Sequence, residues 1–192
     1  MSRYLYAFAL LTGTLPALVA HPGHDRVGFT AGLLHPLTGL DHVLAMLAVG
    51  LLAVRCGGRA LWLVPASFMS SMLLGGLLAY AGVPMPLCEW AIAFSVLLFG
   101  LLVALAARPA TLTAALLVGV LALFHGHAHV AEMTAGLPLA AFCGGFLLST
   151  ALLHGMGIAV GVLMLRHAPI PVLRLSGGLI AAASLLVVAR IA

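Results

Sequence analysis

Three histidines alternate within the segment FHGHAHVAEM at positions 124–133, which continues a long apolar run. On an α-helix, with about 100° between residues, His125 and His129 lie about 40° apart and Glu132 lies beside them. Two imidazoles one turn apart, with a carboxylate on the same face, form a stripe that can bind a divalent transition-metal ion. His127 lies on the opposite side of such a helix, so it is the weakest candidate ligand of the four.

A second polar segment, HPLTGLDH at positions 35–42, begins and ends with histidine. Pro36 cannot donate a helical hydrogen bond and Gly39 loosens the next turn, so we predict a kink or break here. An unpaired Asp41 in an apolar setting would need a proton or a cation, which makes Asp41, His35 and His42 candidate metal ligands. A structural Asp–His pair that stabilises the kink is the alternative.

Two further segments contain candidate ligands. The segment STALLHGMG places His154 one helical turn after Thr150, whose hydroxyl group can simply bond back to its own helix. The segment HPGHD contains His21, His24 and Asp25. These three residues could capture metal weakly before the first span, or could form a polar leader to the first helix.

The composition indicates which elements hold these groups. Hydrophobic residues make up 64% of the 192 residues and charged residues only 6%, whereas soluble domains average about 25% charged residues. The mean hydropathy is +1.26. Such a chain cannot cover itself with polar surface, so we predict an integral membrane protein. Ionisable residues inside a membrane are costly and usually functional, which favours a metal role over simple bonds to backbone carbonyls.

We predict an all-α membrane protein with a cleavable signal peptide at 1–20 and a single transmembrane domain of six helices at 21–192. The start of the chain has a positive residue, an apolar run and Ala20 at the end, with an uncleaved anchor helix as the alternative. Apolar runs of this length suit helices rather than barrel strands. The predicted spans are 27–54, 60–80, 89–106, 111–133, 137–165 and 172–191.

Arginine residues predict the orientation of these spans. A cleaved signal peptide places the mature N-terminus outside, and three loops with arginine then lie inside, at Arg55, Arg59, Arg108, Arg166 and Arg174. In this orientation the polar groups descend through the membrane as a possible pathway. From outside to inside, the order is His21, His24 and Asp25, then His35, His125, His129 and Glu132, then Asp41 and His42, then His154.

The three polar motifs resemble those of the HupE/UreJ family of membrane proteins. The family pattern H-x5-D-H matches His35, Asp41 and His42. The pattern F-H-G-x-A-H-G-x-E matches Phe124, His125, Gly126, Ala128, His129 and Glu132, and the chain departs from it at Val130, where the family usually has glycine. The resemblance covers essentially the whole chain and includes TALLHGMG at positions 150–157.

The resemblance implies a nickel or cobalt permease in a bacterial inner membrane, linked indirectly to hydrogenase or urease maturation. Histidine and carboxylate ligands agree with Ni(II), Co(II) or Zn(II) and disfavour Cu(I). We therefore expect a secondary transporter that imports a divalent metal ion and retains no cofactor. Its partners are the ion and membrane lipid. It has no segment that resembles a nucleotide-binding loop, and its scattered arginines indicate no nucleic-acid partner.

Two other classes of protein place histidines on membrane helices. A metalloenzyme would need more ligands at one depth, and only His125 and His129 have the spacing of its usual histidine boxes. A bis-histidine haem protein would need facing histidines on two helices, for which His35 or His42 could pair with His154. We expect transport rather than catalysis.

Overall fold

The computed structural model describes residues 24–133 and 136–191. The predicted signal peptide and His21 lie outside these residues, and the side chains of His24 and Asp25 lie outside the described part as well. All regular structure within the described ranges is helical, as predicted. The helices are α1 His24–Thr38, α2 Leu40–Cys56, α3 Ala60–Tyr80, α4 Cys88–Ala104, α5 Thr111–Ala131, α6 Leu139–His167 and α7 Ile170–Ile191.

Four of the described helices, α3, α5, α6 and α7, are long and apolar enough to cross a membrane. The pair α1 and α2 forms a fifth candidate span if the two helices are counted together. Helix α4 is apolar but has only 17 residues. The prediction of an all-helical chain with apolar candidate spans is therefore confirmed, while the count of six spans stays a prediction.

The predicted interruption of the first span is present, but it lies at Gly39 rather than at Pro36. Helices α1 and α2 meet there at 81°. Pro36 remains inside the last turn of α1, and Gly39 has an extended conformation, with φ −100° and ψ 121°. The hydroxyl group of Thr38 donates a hydrogen bond of 2.7 Å to the carbonyl of His35, which satisfies one of the acceptors freed at this helix end.

Glycines bring two pairs of parallel helices into backbone contact. In the α3–α5 pair, a Cβ atom at Gly75 would overlap the carbonyl of Leu123, and one at Gly126 would overlap the carbonyl of Met72. In the α1–α6 pair, a Cβ atom at Gly32 would overlap the carbonyl of Phe142. Small residues at such crossings permit the close van der Waals packing that holds membrane helices together.

Helix α2 forms the centre of the bundle. Its residues Met46, Val49 and Leu52 are fully buried, and the helix contacts α1, α3, α4, α6 and α7. Gly50 of α2 lies against the backbone of α6 at His154 and Gly157. The N-terminus of α2, just after the break at Gly39, is therefore held among the other helices, and it contains Asp41 and His42.

Candidate metal centre

Three imidazoles from three helices meet where α1 joins α2. The Nε2 atom of His35 lies 2.9 Å from Nδ1 of His129, and the Nε2 atom of His42 lies 3.2 Å from the same Nδ1 atom. His42 and His129 are buried. The Nδ1 atom of His129 has either one hydrogen or one lone pair, so it cannot form a good hydrogen bond with both Nε2 atoms at once. A cation bound by the three nitrogens would satisfy all of them.

The candidate ligands form two groups that share His129. His42, His125 and His129 make one group, and all three are buried. His35, His129 and Glu132 make the other, which is partly open because the side chain of Glu132 is 59% exposed. In each group, one possible ligand atom per residue lies within 4.8 Å of the others. The arrangement offers a more exposed and a more buried position for one ion, with His129 common to both.

Asp41 lies beside the imidazole of His42. Its Oδ1 atom lies 2.8 Å from Nδ1 of His42. That nitrogen has no well-directed hydrogen-bond partner among the described residues, so the contact is electrostatic more than a linear hydrogen bond. A carboxylate beside one ring nitrogen favours hydrogen there and leaves the other nitrogen available as a ligand. A Cβ atom at Gly39 would lie 2.7 Å from Oδ1 of Asp41, so the glycine at the break also makes room for this pair.

Ser95 orients His125 in a similar way. Its hydroxyl group donates a hydrogen bond of 2.7 Å to the carbonyl of Ile92. Because a hydroxyl group has one hydrogen, its oxygen must accept the 2.8 Å hydrogen bond from Nε2 of His125. The Nδ1 atom of His125 then carries a free lone pair, and it is buried with no hydrogen-bond partner in the part of the chain that the structure describes. The FHGHAH motif does not indicate that Ser95 contacts His125, because Ser95 lies on another helix.

Every member of the two groups except His125 lines a cavity of about 160 Å³. Asp41, Glu89 and Glu132 all line it, so three of the four acidic residues of the chain meet at one place. Glu89, in the first turn of α4, is absent from the predicted site. Acidic residues are rare in this apolar chain, and that rarity is the signal that could have identified Glu89. The remaining lining residues are His35, Thr38, Gly39, His42, Ile92, Ala128 and His129.

Two predicted residues lie apart from this cluster. His127 turns away, as the helical geometry predicts. Its Nε2 atom lies 2.8 Å from the carbonyl of Val83, and its Nδ1 atom lies 3.6 Å from Sγ of Cys88, so it links α5 to the loop before α4. His154 belongs to neither group of ligands. It is buried on α6, where it contacts the ring of Phe68.

Comparison with known proteins identifies the family of this chain. Residues 9–187 match the sequence profile of the HupE / UreJ protein family. The chain belongs to the HupE/UreJ family. It is 43% identical over 182 residues to Protein HupE of Rhizobium leguminosarum bv. viciae. The aligned region covers 92% of this chain and 95% of that protein. No solved structure matches the chain. Members of this family are metal-ion transport and accessory proteins, so the chain is not an enzyme and the metalloenzyme alternative is set aside.

Val130, the departure from the family pattern, packs against helix α3. A Cβ atom at Gly76 would lie 2.8 Å from Cγ2 of Val130, so the branched side chain occupies space that this glycine leaves free. Both residues line a small apolar cavity beside His129. Valine is therefore accommodated at the contact between α3 and α5.

Proposed function

We propose that this protein is a secondary permease that imports a divalent transition-metal ion, with Ni(II) as the first candidate and Co(II) as the second. The observation that carries the proposal is the pair of ligand groups that share His129 at one cavity. Because the two groups share one ligand, an ion can pass from one group to the other without being fully enclosed by either. A transport pathway needs such loose binding so that the ion can leave. Family membership supports metal transport in general.

The ligands act in sequence in this proposal. The ion first meets the exposed carboxylates of Glu132 and Glu89, together with His35. It then passes through His129 to the buried pair His42 and His125. Imidazoles bind metal only when neutral, so uptake should weaken in acid, when protons compete for the ring nitrogens.

The proposed orientation places the cavity toward the outside of a bacterial inner membrane. The five arginines of the predicted inner loops would then face the cytoplasm, as the positive-inside pattern requires. The signal peptide would be removed after Ala20, and His21, His24 and Asp25 would add a weak capture group outside the membrane. The chain would act without a bound cofactor or an ATPase domain, and the imported ion would serve hydrogenase or urease maturation.

The first prediction tests this function by uptake of radiolabelled nickel in cells that lack other nickel importers. We expect Asp41→Ala, His42→Ala and Glu132→Ala each to reduce initial uptake by at least roughly tenfold, because each removes a ligand or the group that orients one. His167→Ala, which changes an exposed histidine at the end of α6, should leave uptake unchanged. Undiminished uptake in all three variants at matched expression would exclude the proposed site.

The second prediction concerns Glu89, which lines the cavity beside Asp41 and Glu132. Its side chain is exposed, so it should raise the local concentration of cations rather than hold the ion firmly. We expect Glu89→Gln to raise the apparent KM for nickel by up to about fivefold, since one exposed charge contributes about 0.2–1 kcal/mol. The maximal rate should not change. A lower maximal rate at an unchanged KM would instead place Glu89 in a later step.

A further inference from the structure

His154 is a buried imidazole for which the proposed outer site has no use. It is 2% exposed, and neither of its ring nitrogens has a hydrogen-bond partner among the residues that the structure describes. One turn earlier on α6, the hydroxyl group of Thr150 is fully buried and equally lacks a partner in those ranges. Leaving a buried polar group unsatisfied costs about 1–3 kcal/mol, so two such groups on one face of a helix call for a partner that the described residues do not supply.

Phe68 of α3 connects this place to the metal cluster. Its ring centroid lies 5.0 Å from that of His154 and 5.4 Å from that of His125. Phe68 is fully buried. The same phenyl ring thus contacts the deepest histidine of the cluster and the isolated histidine of α6. An ion that moved from His125 to His154 would therefore pass in contact with this ring.

The position of His154 along α6 separates it from the cluster. Phe146 of the same helix contacts the ring of His129, with 4.6 Å between centroids. His154 follows eight residues later, which corresponds to about 12 Å along the helix axis at 1.5 Å per residue. The step leads away from the cavity mouth at Glu132 and toward the end of α6 that contains Arg166. His154 therefore lies farther along the pathway rather than beside the first position.

We propose that His154 and Thr150 form a second, inner position for the metal ion, and that Phe68 separates it from the outer cluster. This inference rests on the proposed transport function. The ion would leave the free Nδ1 lone pair of His125, pass the Phe68 ring as it rotates, and bind an imidazole nitrogen of His154 with the Thr150 hydroxyl as a weaker oxygen ligand. A position with so few protein ligands binds weakly, which favours release toward the cytoplasm.

Helix α3 has a feature that suits movement of Phe68. Pro65, three residues before Phe68, lies inside the helix and cannot donate a hydrogen bond to the carbonyl of Leu61. The helix is therefore less firmly bonded in the turn next to the ring. Ser67, next to Phe68, bonds to the carbonyl of Ala115 on α5, and Gly75 lies against the backbone of α5, so the movement is that of the Phe68 ring rather than of the whole helix.

The test uses the purified full chain in proteoliposomes, with Ni²⁺ influx read by an enclosed metal-sensitive dye and Ni²⁺ binding measured separately in detergent. We expect His154→Leu to keep the equilibrium Kd for Ni²⁺ within about twofold of the wild type, because the outer ligands remain. The initial influx should fall by at least about tenfold, because loss of a group that only orients a ligand already costs about 10- to 100-fold. Thr150→Val, which keeps the shape of the side chain, should lower influx severalfold with the same Kd. Phe68→Ala should increase passive Ni²⁺ leak, and His167→Leu provides the matched histidine control.

The outcomes separate the two proposals. A wild-type protein that neither binds nor transports Ni²⁺ overturns the transport function itself. Normal influx in folded His154→Leu, with transport by the wild type intact, overturns only the inner position. Loss of binding together with influx in that folded variant also overturns it, because His154 would then belong to the outer site. If His154→Leu does not fold, Thr150→Val decides, and normal influx in that variant is the overturning result.

Discussion

Replacement of His129 by alanine should reduce nickel uptake to the background of cells without the protein, a loss of roughly 100-fold or more. Removing a group that only orients a ligand typically costs 10- to 100-fold in affinity or activity, and removing a shared ligand should cost at least the upper limit. His129 belongs to both ligand groups, so its loss leaves neither with three residues. No other candidate ligand has this double role. Initial uptake of radiolabelled nickel at matched expression measures the effect.

His127→Gln is the matched control for this experiment, because it changes a histidine two residues away on the same helix. His127 bonds to the loop before α4 and not to the cluster. Glutamine can still donate a hydrogen bond to the carbonyl of Val83. Even if that bond were weakened, only about 0.5–1.5 kcal/mol of stability would be lost. We therefore expect uptake to stay within about twofold of the wild type. Equal losses of uptake in His127→Gln and His129→Ala would contradict the placement of His127 and His129 on different faces of α5.

The sequence predicts the helices well, because apolar runs bounded by loops determine them locally. The five predicted spans after the first agree with α3 to α7 within two residues at each end. The face shared by His125 and His129 also follows from helical periodicity alone. In the first span, Pro36 and Gly39 both indicate a break. Only the tertiary structure shows that the break falls at Gly39, where a side chain would collide with Asp41.

The groups that act from other helices could not be predicted in this way. Ser95 and Phe68 are a common hydroxyl residue and a common core residue by sequence, and their meaning comes from contact with His125. Glu89 lies at a predicted span end, where headgroup exposure is an ordinary explanation. Their convergence depends on how the helices cross. That crossing is determined by glycine contacts between residues tens of positions apart, such as Gly75 with Leu123.

Those crossings show a repeat that spacing along the chain alone does not identify. In the α3–α5 pair, Gly126 lies against the backbone of Met72 and Gly75 lies against that of Leu123. The α1–α6 pair has the same pattern, with the contacts Gly32–Phe142 and Gly145–Phe29. Each pair places a histidine three residues after one glycine, and these histidines, His35 and His129, contact each other. The metal cluster therefore lies where two similar helix pairs meet, and its geometry depends on both glycine crossings.

Gly126→Ala should consequently destabilise the protein and abolish uptake, although no ligand is changed. A Cβ atom at Gly126 would overlap the carbonyl of Met72, a backbone atom that cannot turn aside. Helices α3 and α5 would have to separate, and His125 and His129 on either side of Gly126 would move with α5. Overpacking of this kind costs about 1–3 kcal/mol, occasionally more. The destabilisation is measured by heating the purified protein in detergent and recording the fraction that remains monodisperse at each temperature.

Gly155→Ala is the control for this last experiment, because it makes the same chemical change at an exposed position of α6. A Cβ atom there meets no described atom within 4 Å, and alanine has the higher helix propensity by about 1 kcal/mol in soluble helices. We therefore expect this variant to be as stable as the wild type and to transport normally. If Gly126→Ala matched it in both stability and uptake, the α3–α5 contact would not be what holds His125 and His129 in place. Normal stability with lost uptake would instead mean that a small shift of α5 is enough to misplace the two ligands.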